Sequence, residues 1–248
     1  MKRMFRELLV AFQFLTRLPI SHVPYEPDSL SRATQFFPIV GLFIGLSASL
    51  LQHMLGPHLN RALVALLVLT FLVLITGGLH EDALADAADA FGGGWNREQI
   101  LAILKDSRIG SYGALALIIS MLARFLLLST LPINHFMPVV FSAHVLCRWT
   151  ALPLSYFLSP AREDDGQGAR IAERIPFASF AIGTLLSMSI VVYALRREFW
   201  IPVVVTLVVT ILSGVYYSRR IGGVTGDCFG ATNQLTEIAV YFCGVCGA

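Results

Sequence analysis

The chain predicts an all-α fold: a polytopic integral membrane helical bundle of six to seven membrane helices, with an interfacial helix at its N-terminus. Three observations carry that expectation. The 248 residues are 56% hydrophobic and 14% charged, with a mean hydropathy of +0.70, whereas ordinary soluble domains are about 25% charged. Apolar runs close to the ~20 residues needed to cross a hydrocarbon core recur along the chain. Lys and Arg are distributed unevenly about those runs. No internal repeat or low-complexity tract interrupts the sequence, so residues 1–248 read as one membrane domain. A net charge of +2 excludes the broad basic surface that nucleic-acid binding requires.

Residues Met1 to Ile20 open with Lys2, Arg3 and Arg6, and Phe5, Leu8, Leu9, Phe12 and Leu15 recur at helical spacing. Gln13, Thr16 and Arg17 break the apolar run and no small-x-small cleavage site follows. An amphipathic helix lying on the membrane is therefore predicted, not a secretion signal. Ser21–Ser31, with Pro24 and Pro27, reads as a loop. Six spans follow: Ala33–Leu55, Ala62–Gly78, Ser111–Leu131, Phe136–Phe157, Pro176–Leu195 and Phe199–Tyr217. Leu235–Ala248 is apolar but only 14 residues long, and is expected as a short seventh, re-entrant or half-inserted helix. With the N-terminus in the cytoplasm, inner segments hold 13 Lys and Arg residues against 3 in the outer loops, Arg61, Arg196 and Arg197. The positive-inside rule thus predicts a protein of the cytoplasmic (inner) membrane with a cytoplasmic N-terminus. Arg162–Arg174, with Glu163, Asp164 and Asp165, reads as a solvated loop. Cys243 and Cys246 have CxxC spacing without a second pair or His couple, so they read as small residues of an apolar segment.

Chemistry concentrates after the second span. Glu81, Asp82, Asp86 and Asp89 fall within nine positions, and no Lys or Arg lies between Arg61 and Arg97. If Ala83–Ala90 is helical, as its Ala and Leu content predicts, Asp82, Asp86 and Asp89 share one stripe at i, i+4 and i+7. Like charges on one stripe repel, and a hard divalent cation relieves that repulsion. Solvated helices usually mix in Lys and Arg, and this one is flanked by Gly77-Gly78 and Gly92-Gly93-Gly94 instead. Oxygen-only ligands favour Mg2+, with Mn2+ as the alternative.

Lys105 and Arg108 precede a span that opens on Gly110-Ser111-Tyr112-Gly113, so they read either as positive-inside anchors or, with the free N–H groups of that helix start, as an anion site. Arg124 and Arg148 lie inside spans, where charge suggests function. Arg148 is expected to reach a cavity from within; Arg124, deeper, is expected to snorkel or bond carbonyls. Asp227 follows a Gly-rich stretch, with Asn233 and Glu237 six and ten residues on. These read either as a flexible turn with polar decoration or as a second set of metal or substrate contacts facing the first. His80 and His144 read as hydrogen-bonded structural histidines, His80 at most orienting a carboxylate.

Gly77 to Asp89 (GGLHEDALADAAD) resembles the signature of the adenosylcobinamide-GDP ribazoletransferase family, the membrane cobalamin or cobalamin 5′-phosphate synthases. Lys105–Gly113 (KDSRIGSYG), Phe14–Pro19 (FLTRLP) and Gly222–Glu237 are similar to further blocks of that family, so the likeness runs nearly the whole chain. Ala83 stands where the family often has Gly. The resemblance implies an enzyme that joins adenosylcobinamide-GDP to α-ribazole or its 5′-phosphate, releasing GMP, as the last assembly step of cobalamin. It implies Mg2+ held by Asp82, Asp86 and Glu81, with Asp227 completing the metal or substrate shell. Asp86 and Asp89 are the expected catalytic carboxylates; Asp89 is expected as base or orienter and also as a member of the metal cluster. Lys105, Ser107, Arg108, Arg148, Asn233, Glu237 and Arg17 are the expected substrate contacts. Phosphoryl transfer rests on alignment and charge stabilisation, so no covalent intermediate is needed. Two other classes compete. A cation-coupled transporter usually has a midplane site and repeated halves, and a non-catalytic membrane scaffold requires no cluster of acids.

Overall fold

The structure is a computed structural model and describes residues 2–20, 29–106, 108–162 and 174–247. The acidic stretch Glu163–Asp165, most of the loop expected at 21–31, Ser107 and Ala248 lie outside the described residues. The helices are α1 (Lys2–Leu15), α2 (Ser29–Ala33), α3 (Phe37–Leu55), α4 (Arg61–Thr76), α5 (Leu79–Gly93), α6 (Arg97–Ile103), α7 (Ser111–Thr130), α8 (Ile133–Trp149), α9 (Ala151–Phe157), α10 (Phe177–Leu195), α11 (Trp200–Ile221) and α12 (Gly226–Cys246). A 3-10 turn, Thr34–Phe36, joins α2 to α3.

Small residues set the closest packing, as they do where helices associate in lipid. Gly41 and Gly45 let α3 lie against the His144 carbonyl and Phe141 of α8. Gly230 brings α12 onto Ala83 of α5, and at the other end Gly244 meets Val139 and Leu131. Helix α12 therefore runs the length of the bundle, packed on α5, α7, α8 and α11. Around this centre, α7, α10 and α11 turn most of their apolar surface outward: only 22%, 28% and 33% of their spans are buried, against 61% for Ser29–Leu55. Outward-facing apolar side chains on long helices are what a lipid-facing shell requires.

Among the described residues, four stretches are long and apolar enough to cross a membrane: Ser29–Leu55, Ser111–Thr130, Phe177–Glu198 and Trp200–Ile221. The count is five if α4 and α5, bent by 85°, are one broken span. By this measure the chain falls short of the expected six to seven, and the reason is polarity at the centre. Helix α8 buries Ser142, His144 and Arg148, and α12 buries Thr232, Asn233, Gln234, Thr236 and Glu237. Helices sheltered by protein need not be apolar. The fourth expected span divides into α8 and α9 at Thr150, where the ladder stretches: the Leu154 N–H reaches the Thr150 carbonyl at 3.4 Å. Pro153, lacking an N–H, removes the neighbouring bond.

Two boundaries differ from expectation. Ser29–Ser31 begins α2. The Gly-rich stretch at Gly226 starts a 21-residue helix, so Asp227, Asn233 and Glu237 are helical residues and not loop decoration, and Leu235 onward is no separate element. Helix α1 buries Val10, Ala11 and Leu15. Its buried Glu7 accepts from Arg3 Nε at 3.1 Å, Arg32 Nε at 3.0 Å and Gln35 Nε2 at 3.2 Å. One carboxylate thus fastens the amphipathic helix to α2 and the turn before α3.

Candidate active site

The site begins with a bend. Gly77 and Gly78 both have positive φ, +67° and +72°, a conformation that costs other L-residues roughly 1–2 kcal/mol. They stop α4 and restart the chain as α5 at 85°. Arg17 buttresses the bend: its backbone N–H donates to the Ile75 carbonyl at 2.7 Å and its side chain lies over Gly77. Arg17 was expected to touch substrate; its visible work is to hold this corner.

Helix α5 then divides its acids among three neighbours. Asp82 is exposed and Asp86 half-buried, and the first turn of α12 brings Asp227 to face them. Both elements lie outside the four apolar spans. Partial burial, together with the charges of Asp82, Asp227 and Asp89, lifts the Asp86 carboxyl to about 6. Burial also raises Asp227, opposed by Arg162 and with Asp82 adding to the rise. Carboxylates from two helices therefore feel one another, which is the condition for a divalent cation site with oxygen donors.

Glu81 and Asp89 turn elsewhere. Glu81 is buried, and its Oε1 accepts from Arg124 Nη1 at 2.5 Å and Gln234 Nε2 at 3.0 Å, while Oε2 has no partner among the described residues. Asp89 is buried with its two oxygens accepting from the backbone N–H groups of Gly110 (2.6 Å) and Gly113 (2.9 Å). The positive end of α7, expected to receive a phosphate, is answered by this carboxylate. A side chain at Gly113 would collide with Asp89 and the Ala85 carbonyl. Lys105 is exposed in the turn after α6, and Arg108 is committed to Asp106 at 2.6 Å. Ser107, between them, lies outside the described residues.

Arg124 neither snorkels nor bonds carbonyls. Its side chain is 2% exposed, and its Nε donates to Glu237 Oε1 at 3.0 Å while Nη1 serves Glu81. Gln234 Oε1 accepts from Arg124 Nη1 and Ser120 Oγ, both at 3.2 Å. Glu237, expected at the substrate, is thus part of a buried ion-pair network joining α5, α7 and α12. Deep charges in an apolar chain must find opposite charges, and that rule applied to Arg124, Glu81 and Glu237 was the signal that could have found the network in advance.

A cavity of about 200 Å³ opens between α5, α8 and α12, lined among others by Leu79, His80, Asp82, Arg148, Asp227 and Asn233. Arg148 occupies the last turn of α8, where its Nη1 donates to His144 Nδ1 (3.0 Å), the His144 carbonyl (3.2 Å) and Cys147 Sγ (3.3 Å). His144 is structural, its Nε2 within 3.1 Å of the Tyr241 hydroxyl. His144, Cys147 and Glu237 gather as metal ligands could, but a guanidinium already donates to two of them. His80, expected to be hydrogen-bonded, lines the cavity instead and is buried there beside the acids.

Sequence comparisons identify the family. A family model described as Cobalamin-5-phosphate synthase matches residues 7–245. The chain is 36% identical to an adenosylcobinamide-GDP ribazoletransferase of Leptospira interrogans, over 93% of this chain and 91% of that one. It is 36% identical to one of Shewanella frigidimarina over 94% and 91%, and 38% identical to one of Sinorhizobium medicae over 92% and 91%. No solved structure matches the chain. With helices as its only regular elements among the described residues, a cavity lined by carboxylates and a family match from residue 7 to 245, the chain belongs to the cobalamin-5-phosphate synthase family of membrane transferases.

Proposed function

We propose that the chain joins adenosylcobinamide-GDP to α-ribazole or α-ribazole 5′-phosphate in a Mg2+-dependent phosphotransfer that releases GMP, the final assembly step of cobalamin biosynthesis. The observation that carries this reading is that Asp82 on α5 and Asp227 on α12 line one cavity, with Asp86 close enough to both for their charges to act on it. These three, oxygen donors that repel one another, suit a hard cation. A bound Mg2+, with Mn2+ the alternative, would neutralise charge on the diphosphate and on the leaving GMP.

This chain's residues do the rest. A ribose hydroxyl of the acceptor forms a bond to the phosphorus that bears cobinamide, the bridging bond to GMP breaks, and the hydroxyl proton passes to a carboxylate. Asp86, a carboxylate beside Asp82 and Asp227, is the residue assigned that last task. Asp89 serves as a positioning residue, tying α5 to the start of α7 through Gly110 and Gly113. Lys105 and Arg108 are the cations offered to the nucleotide end, Arg108 after leaving Asp106. Glu81 and Glu237 act through Arg124, and Arg17 through the bend. The 13-to-3 distribution of Lys and Arg supports an inner-membrane protein whose site opens to the cytoplasm.

The test is direct. Purified protein with adenosylcobinamide-GDP and Mg2+ should release GMP only when an α-ribazole acceptor is added. GMP release indifferent to the acceptor, or a substrate gradient across vesicles without GMP, would replace this reading with a hydrolase or a carrier.

A further inference from the structure

A second cavity, of about 250 Å³, lies at the end of the bundle away from the carboxylates, where α3 and α7 finish and α4 and α8 begin. Phe37 lines the first cavity and Gln52 the second, which separates the two by about 22 Å along α3 at 1.5 Å per residue. The walls are mostly apolar, with Leu59, Val64, Leu128 and Phe136 among them. Arg61 is the one cation among the described lining residues, and no carboxylate accompanies it. Gln52 is 9% exposed, yet its side-chain amide has no hydrogen-bond partner among the described residues. A Cβ at Gly56 would stand 3.2 Å from Nε2, so glycine there keeps that edge of the amide clear. Asn60 Oδ1 takes the Leu63 N–H at 2.9 Å, and the N–H groups before it in α4 have no intrahelical partner.

Buried amides are nearly always hydrogen-bonded, so one left open to a cavity calls for a polar occupant. Arg61, the helix start and the amide all donate, which selects an anion. The apolar walls select a ligand that is apolar as well. They continue along the same helices into Leu66 and Leu67 of α4 and Leu122 and Leu126 of α7, all exposed. We infer that this cavity binds the headgroup of an anionic phospholipid in the leaflet opposite Asp82 and Asp227. Its phosphodiester sits on Arg61 and Gln52, and its acyl chains lie along α4 and α7. A glycerol headgroup adds hydroxyls that donate to the amide oxygen of Gln52, whereas a zwitterionic headgroup brings a cation that meets no carboxylate here. Phosphatidylglycerol is therefore the lipid that fits. The inference stands apart from the transferase reading and needs only that the chain sits in a bilayer.

Native mass spectrometry of the full chain in a neutral detergent, titrated with phosphatidylglycerol or phosphatidylcholine, tests this. The wild type should bind phosphatidylglycerol the more tightly. Arg61→Gln and Gln52→Leu should each weaken it by about fivefold or more, the worth of one hydrogen bond, and leave phosphatidylcholine within about twofold. Arg197→Gln removes an exposed cation outside the cavity and should leave both lipids unchanged. Equal binding of the two lipids by the wild type, or phosphatidylglycerol binding untouched by either cavity variant, would overturn the assignment. So would a loss in Arg197→Gln as large as that in Arg61→Gln, which would show a diffuse attraction and no site. Glycerol 3-phosphate that displaces the lipid at equal concentration would make this a site for a soluble phosphate and end the lipid reading. Should Gln52→Leu fail to fold, Arg61→Gln decides alone, because Arg61 is exposed on the first turn of α4.

Discussion

Replacing Arg124 by Met removes the cation shared by Glu81 and Glu237. The three side chains are 2%, 11% and 3% exposed, so little water reaches the charges left behind. Removing one partner of a buried pair costs about 3–5 kcal/mol, because the other charge stays desolvated without compensation. Here one cation serves two acids, which places Arg124→Met near the top of that range. The triple variant Arg124→Met, Glu81→Gln, Glu237→Gln removes the orphaned charges as well, and buried ion pairs replaced as a unit are often close to neutral. We expect it within about 2 kcal/mol of wild type. Unfolding of the detergent-solubilised protein, followed by its helical signal, measures all three differences. A loss below about 1 kcal/mol in Arg124→Met would refute the network's role, as would a triple variant no better than the single one. Mn2+ titration of Glu81→Gln adds the functional arm: affinity should hold within about twofold, since this oxygen is engaged with Arg124, whereas a drop of an order of magnitude (~1.4 kcal/mol) would return Glu81 to the metal shell.

Asp89→Asn should destabilise by about 1.5–3 kcal/mol, the range for hydrogen bonds to a charged group, because an amide offers only one acceptor oxygen to Gly110 and Gly113. Unfolding reads the loss, and Mn2+ affinity close to wild type identifies Asp89 as an anchor. Gly77→Ala should cost at least about 1–2 kcal/mol from its positive φ alone, with further loss as Arg17 is pushed off the bend; thermal unfolding and turnover should fall together. The pH dependence has a definite sign. A carboxyl raised from 3.8 to about 6 makes the ionised native state costlier, so metal-free stability should fall as pH rises from roughly 4 through 6. Mg2+ should reverse this above pH 6, because the cation needs the ionised form. Asp82→Asn should flatten the profile, and a profile unchanged by that substitution would show that Asp82 does not act on Asp86.

Composition and apolar spacing made the helical bundle legible, and the acid-rich motif folds as the helix its Ala and Leu content predicts. What the sequence hides is neighbourhood. Spacing at i, i+4 and i+7 says that Asp82, Asp86 and Asp89 share a side of α5, but not that α7 begins opposite the last of them and takes its carboxylate. Gly226–Glu237 read as loop because glycine usually breaks helices, yet here Gly230 is small so that α12 can lie on Ala83. Arg124 was misjudged for the same reason: its partners stand 43 positions before it and 113 after, and periodicity within one helix has no access to such pairs.

Charge balance separates scaffold from site more sharply than motif membership does. In the core, Arg124 faces Glu81 and Glu237, and Arg148 reaches toward Glu237 through His144, whose Nδ1 lies 3.0 Å from the guanidinium and 4.0 Å from the carboxylate. Two cations and two acids leave that interior neutral with neutral imidazoles, so nothing there requires a metal. At the mouth the balance fails. Burial with the charges of Asp82 and Asp227 raises Asp86, burial with Asp82 raises Asp227, and Arg162 offsets only part of the rise at Asp227. A fold that neutralises its deepest charges so completely, yet leaves Asp82 and Asp227 lining a cavity with Asp86 beside them, holds its unsatisfied electrostatics where a cation and a diphosphate can enter.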